Sequence, residues 1–196
     1  FFRKIFMALL ESTMPPLGTP AHDFLLDGID DRTHSLESYS EKKIIVIIFM
    51  CNHCPYVKAV LKRIIDLQNE FIARGVQFIG INPNDAIRYP DDSLENMKTI
   101  AKENNFSFPY LVDPSQEIAK LYDAVCTPDL YVYGKDRKLA YRGRIDDNWE
   151  HPKKVTQQDL KLALENILAG QLVAKEQIPS MGCSIKWKTT YIKETS

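Results

Sequence analysis

Residues 44–75 read IIVIIFMCNHCPYVKAVLKRIIDLQNEFIARG. The first seven residues, Ile44 to Met50, are apolar without alternation, as expected of a central strand buried on both faces. Beyond the cysteines, Val57, Val60, Leu61, Ile64, Phe71 and Ile72 recur at helical spacing and mark one face of a long helix. Pro55 suits the first helical turn, where its missing N–H would have no partner anyway. Gly75 is a natural stop. The following VQFIGI, residues 76–81, reads as a second buried strand. Strand, helix and strand in this order predict a βαβ unit with a parallel sheet, and hence an α/β fold.

The turn between strand and helix carries the chemistry. Cys54 is predicted to cap the helix, where unpaired N–H groups and the positive end of the helix dipole stabilise a thiolate. A protonated His53 next door would add to this. Cys51, three residues back, is close enough in sequence to attack or trap Cys54. Two other readings stand beside the redox one. Cysteine packs readily as a small buried apolar residue. Zinc needs about four ligands. Cys51, His53, Cys54 and Cys126 are the candidates, but the chain has no second Cys-x-x-Cys and no His-x-x-x-His. His22, His34 and His151 are isolated and read as surface residues.

Outward from this unit the chain is predicted as one domain at residues 21–170, with an N-terminal arm at 1–20 and a C-terminal tail at 171–196. The Pro-rich MPPLGTPAH, residues 14–22, is extended, and DFLLDGIDDRTHSL, residues 23–36, reads as a hairpin around Asp27-Gly28. Leu94, Met97, Ile100 and Ala101 mark a helix, and FPYLVD a short strand. Asp113-Pro114-Ser115-Gln116 reads as a capped helix start. DLYVY and KLAYRG are two strands joined by a turn. Thr156 is predicted to cap a last helix carrying Leu160, Ala163, Leu164, Ile167 and Leu168, stopped by Gly170. The tail shows no periodicity.

The 196 residues carry a formal net charge of −1, which offers no electrostatic case for nucleic acid. Seven apolar residues cannot span a bilayer, which needs about 20 in a helix. The N-terminal IFMALL is too short for an export signal, and Met7 reads as a natural initiator. Four cysteines, at 51, 54, 126 and 183, make no disulfide scaffold and point to a reducing compartment. The expected location is therefore cytoplasmic, with a lost export signal as the alternative.

A strand, a cysteine turn, a long helix and then CTPDLYVY before a hairpin resembles the thioredoxin fold. There a cis-proline packs against the active cysteine, and Thr127-Pro128 is the matching pair. PLGTPAHDFLLDG looks like the N-terminal hairpin of the peroxiredoxin and thiol-specific antioxidant superfamily. Together with FMCNHCPYVK, YPDDS, YRGRIDD and PSMGCSIKWK, it resembles the peroxiredoxin-like (alkyl hydroperoxide reductase C / thiol-specific antioxidant, redoxin) subfamily over residues 7–189. The expected architecture is a central mixed sheet flanked by helices, with an N-terminal hairpin and an irregular tail.

Two departures matter. Cys54 falls where thioredoxin carries its attacking cysteine, and Val57 stands in place of the second one, so CNHC is not the usual thioredoxin motif. In the peroxiredoxin pattern Pro-x-x-x-Thr-x-x-Cys, Ile47 stands for the proline and Cys51 for the threonine. Arg142 or Arg144 could supply a guanidinium, although surface pairing is the expected role.

These readings imply a thiol–disulfide oxidoreductase. Cys54 attacks, Cys51 is the first candidate resolving cysteine and Cys126 the second, and Cys183 joins only if the tail folds back. His53, Thr127 and Pro128 shape the substrate groove. The substrates would be protein or small-molecule disulfides, or hydroperoxides in the alternative peroxidase reading through a Cys54 sulfenic acid. A thiol reductant completes the cycle, and neither an organic cofactor nor a metal is called for. A third reading is a non-catalytic binding or metal-binding module using the same groove.

Overall fold

The computed structural model describes residues 9–189; Met7 lies outside the described residues. In chain order the elements are β1 (Leu9–Glu11), β2 (Leu25–Asp27), β3 (Thr33–Ser35), β4 (Ile44–Phe49), α1 (Pro55–Phe71), β5 (Val76–Asn82), α2 (Leu94–Glu103), β6 (Tyr110–Val112), α3 (Glu117–Leu121), β7 (Cys126–Thr127), β8 (Asp129–Tyr133), β9 (Leu139–Arg142), α4 (Asp159–Leu168) and β10 (Met181–Ser184).

Five strands form the central mixed sheet in the order β6-β5-β4-β8-β9. β4, β5 and β6 run parallel, while β8 and β9 are antiparallel. β4 is central because both of its faces are covered. Ile44, Val46 and Ile48 pack with Val57, Val60 and Ile64 of α1 and with Leu160 and Leu164 of α4. Ile45, Ile47 and Phe49 face the opposite layer, among Phe24, Leu26, Ala119 and Tyr122. A strand with two dry faces has no polar side to alternate with, which accounts for IIVIIF. The β2–β3 hairpin pairs antiparallel, Leu26 opposite His34.

Three local expectations are corrected. The α1 stripe ends at Phe71. Ile72 opens a single 3-10 turn and is 39% exposed, and Gly75 closes it at φ 87°, a left-handed conformation that glycine adopts without a Cβ penalty. α3 starts at Glu117 rather than at Pro114, because Gln116 sits at φ 64° and breaks the run; Asp113 still serves it, accepting the N–H of Ala119 at 2.9 Å. Thr156 does not cap α4. Its N–H and hydroxyl both go to the Asp147 carboxylate, and α4 begins three residues later at Asp159.

The tail holds more structure than its sequence suggests. β10 lies between β1 and β7 in a small antiparallel sheet, with Leu9 opposite Cys183 and Cys183 opposite Thr127. MGCS has neither alternation nor strong strand propensity. It is a strand because β7 offers it an unpaired edge. No helix among the described residues is long and apolar enough to cross a membrane.

Candidate active site

Cys54 is the N-cap of α1, at φ −67° and ψ 121°, with Pro55 in the first helical turn. Its carbonyl accepts the N–H of Lys58 at 3.0 Å, so the cap closes the first intrahelical bond. The side chain is fully buried. The Thr127–Pro128 peptide, between β7 and β8, is cis. It sits directly against the thiol: Cys54 Sγ donates to the Thr127 carbonyl at 3.1 Å. The Thr127 hydroxyl lies 3.4 Å from Cys51 Sγ.

Cys51, Cys54 and Cys183 share one buried cluster. The Cys54 thiol is pulled down to about 5, chiefly by the hydrogen bond from Cys51. Burial opposes this, while the Cys183 thiol and the backbone N–H groups of Val57 and Cys183 add to the lowering. The bond to the Thr127 carbonyl belongs to the protonated form, because a thiolate has no proton to donate. Burial, and then the bond to Cys54, push Cys51 well above its ordinary value. The same two causes push Cys183 up to about 12, with Lys186 acting the other way. One sulfur carries the charge and its two neighbours keep their protons to stabilise it.

Cys126 is different. Thr127 turns its hydroxyl to Cys51, and successive strand residues point to opposite sides. The Cys126 thiol is directed at the Pro128 carbonyl, 3.8 Å away; burial, then the Asp129 charge, raise it, and the Cys54 and Cys183 sulfurs add to the rise. The cysteine that shares the buried cluster of Cys51 and Cys54 is Cys183, carried in by β10.

His53 is engaged by Asp92 through its ring. Its Nδ1 is 2.6 Å from Asp92 Oδ2 and its ring stacks on Tyr89. Asp92 is 2% exposed and also accepts the N–H groups of Asn52 and His53 and the side-chain amide of Asn84. Burial alone would raise the Asp92 carboxyl; the bonds from His53, Asn84 and Asn52 outweigh it and hold the group below the ordinary carboxylate range. The CNHC turn is thus pinned by Asp92 of YPDDS. An aspartate in a polar loop carries no sign of burial in its sequence, so YPDDS alone does not disclose this task.

The edge of β7 is not an open groove. An extended substrate beside a cis-proline needs a free strand edge. Here β10 occupies it, with Cys183 opposite Thr127 and Ser184 opposite Cys126. The open space nearby is a cleft of about 380 Å³ that Pro128 lines with Val60, Leu130 and Trp149. The arginines are engaged elsewhere: Arg144 pairs with Asp159 at 2.8 Å and Arg142 reaches Gln177.

Residues 17–142 match the family model described as the AhpC/TSA family. The chain belongs to that family. This AhpC/TSA protein is 45% identical to an uncharacterized conserved protein from Geobacillus kaustophilus, with a TM-score of 0.89 over 95% of this chain and 100% of that one. It is 35% identical to a hypothetical protein from Sinorhizobium meliloti 1021, at a TM-score of 0.88 over 91% of this chain and 98% of the other. The thioredoxin domain of a thiol-disulfide oxidoreductase from Bacteroides vulgatus shares the fold at 14% identity, with a TM-score of 0.57 over 66% of this chain and 89% of that domain. No curated protein matches the sequence.

Within the AhpC/TSA frame, Ile47 faces the layer opposite Cys54 and cannot shield its sulfur. Cys51, in the threonine's place, offers a thiol instead of a hydroxyl. A metal would find Cys51, His53 and Asp92, whose donor atoms lie within 4.8 Å of one another. Three donors fall short of a closed zinc site, and Cys126, the expected fourth, points elsewhere.

The depressed thiol has a direct signature. The thiolate absorbance of the reduced protein should titrate with a midpoint near 5 and vanish in Cys54→Ser. A first midpoint at or above about 8.5, that of a free thiol, would refute the arrangement. Because the folded value lies below the unfolded one, the stability due to Cys54 is complete above about pH 8.5. It fades as the pH falls towards 5.

Proposed function

We propose that this protein is a thiol–disulfide oxidoreductase in which the Cys54 thiolate attacks a disulfide sulfur. The observation that carries this reading is the Cys54 sulfur at the N-cap of α1, held down to about 5 between two protonated thiols and lying against the peptide before a cis-proline. A thiolate of that kind is both formed at neutral pH and a good leaving group, so it can enter and leave a mixed disulfide. The substrates are protein or small-molecule disulfides, the reductant is a thiol, and the electrons travel through sulfur without an organic cofactor. Four free cysteines suit a reducing compartment such as the cytoplasm.

The family match favours a second reading, reduction of hydroperoxides through a Cys54 sulfenic acid. A fast peroxidase must also stabilise the leaving oxygen as the O–O bond breaks. The hydroxyl that would do so is replaced by the weakly donating Cys51 thiol, and no arginine is free beside the sulfur among the described residues. Slow peroxide reduction is therefore expected, alongside measurable exchange with glutathione disulfide. The test compares the two second-order rate constants on the reduced protein, with Cys54→Ser as the blank. Oxidation by hydrogen peroxide at least a hundredfold faster than that of a free thiolate would need about 2.7 kcal/mol of added transition-state stabilisation and would put the peroxidase first.

A further inference from the structure

We propose that Cys183 is the resolving cysteine: β10 fills the edge of β7 and brings its own cysteine into the buried cluster around Cys54, so that oxidised Cys54 closes onto the tail.

Three observations carry this. β10 pairs with β7 in the antiparallel register of a bound strand, and the residue opposite Thr127 is Cys183. The carbonyl of that same Thr127 is the group that Cys54 Sγ approaches to 3.1 Å. Next, Gly182 permits this approach. A Cβ on residue 182 would fall 1.9 Å from the Thr127 carbonyl oxygen, so only glycine lets β10 lie flat on the Thr127–Pro128 peptide. Finally, the strand is fastened on both sides of the cysteine. Ser180 Oγ donates to Asp129 at 2.9 Å, and the Lys186 N–H donates to Asn84 at 2.8 Å. Cys51, Cys54 and Cys183 share one buried cluster that excludes Cys126.

The chemistry balances on sulfur. Cys54–S⁻ attacks a disulfide R–S–S–R, forming Cys54–S–S–R and releasing R–S⁻. The Cys183 thiol then gives up its proton to that thiolate. Its own thiolate attacks Cys54 Sγ, the bond to R breaks, and a second R–S⁻ leaves to be protonated by solvent. The protein loses two electrons and the substrate gains them. The second step is eased by the first: once Cys54 is in a disulfide, its charge no longer holds the Cys183 proton, while Lys186 still favours the Cys183 thiolate. Cys51 keeps its bond to Thr127 and acts as a donor rather than as the partner.

This inference rests on the oxidoreductase reading only in requiring that Cys54 become oxidised. The reduced full chain is treated with one equivalent of glutathione disulfide, and the disulfides are mapped by peptide mass in wild type, Cys183→Ser, Cys51→Ser and Cys126→Ser. The expected product is an intrachain Cys54–Cys183 bond in most wild-type molecules, and the same bond in Cys51→Ser and Cys126→Ser. Cys183→Ser should stop at the Cys54–glutathione mixed disulfide. Cys54 joined to Cys51 or Cys126 in most molecules would overturn the role of Cys183 and leave the Cys54 reading intact. An interchain Cys183 bond would do the same. Cys54 remaining reduced while the others oxidise would remove both. Ser180→Ala, which loosens β10 without touching a thiol, should slow closure and let the mixed disulfide accumulate; an unchanged rate of closure would count against positioning by β10.

Discussion

A Gly182→Ala variant is expected to uncover Cys54 and raise its alkylation rate by about tenfold or more, equivalent to a drop of about 1.4 kcal/mol in the free energy of opening β10. The methyl carbon would fall 1.9 Å from the Thr127 oxygen and 2.5 Å from its carbonyl carbon. Both atoms belong to backbone, so no side chain can turn aside, and β10 must leave the β7 edge. Only Cys183 and Ser184 pair with β7 itself, so the bonds of Ser180, Ile185 and Lys186 on either side carry the rest of its hold. Cys183 would withdraw with the strand, Cys54 would lose one of its donors, and the thiolate midpoint would move up from about 5. Alkylation is compared above pH 9, where Cys54 is ionised in both proteins, so that access alone is measured. A variant that folds, alkylates at the wild-type rate and titrates unchanged would contradict the packing of β10 on the cis peptide.

The second large effect concerns Asp92. Asp92→Ala should destabilise the protein by about 3–5 kcal/mol, the range for removing one partner of a buried, hydrogen-bonded charge. The N–H groups of Asn52 and His53, the His53 ring and the Asn84 amide would all lose their acceptor inside the structure. At about 2–4 °C per kcal/mol for a chain of this size, the melting temperature should fall by about 10 °C. Asp92→Asn keeps one acceptor oxygen and should lose less. The pH dependence has a definite sign. The Asp92 carboxyl is held below its ordinary value, so its contribution is complete above about pH 4 and is lost as the pH falls through the lower folded value. The gap between wild type and Asp92→Ala should therefore narrow in acid. A melting temperature within about 2 °C of wild type at pH 7 would mean that the CNHC turn is held by something else.

How much of this was legible beforehand differs from element to element. The central βαβ unit was written in local pattern. IIVIIF is apolar throughout because β4 has two dry faces, and the helical stripe from Val57 to Phe71 is the face of α1 that covers it. Cys54 was readable as the cap because Pro55 and the end of the apolar run fix where α1 starts. The Thr127–Pro128 pair was found by resemblance, and the peptide is cis. The misplacements at Asp113 and Thr156 are of another kind. Each side chain has two acceptable partners within a few residues, and local sequence does not rank them. Asp113 serves a helix that starts later, while Thr156 prefers Asp147.

The company around Cys54 was decided only by the tertiary structure. His53 is adjacent in sequence and bonds to Asp92; Cys183 is far along the chain and joins the buried cluster of Cys54. Sequence determined the α/β class, the central strand and the capping cysteine, because each depends on residues within one turn or one strand of each other. The path of the tail, the burial of Asp92 and the choice between Cys51, Cys126 and Cys183 depend on contacts made across long stretches of chain. MGCS becomes a strand because β7 presents an unpaired edge and glycine alone fits against its carbonyl. That complementarity belongs to two distant segments together, and neither one displays it when read separately.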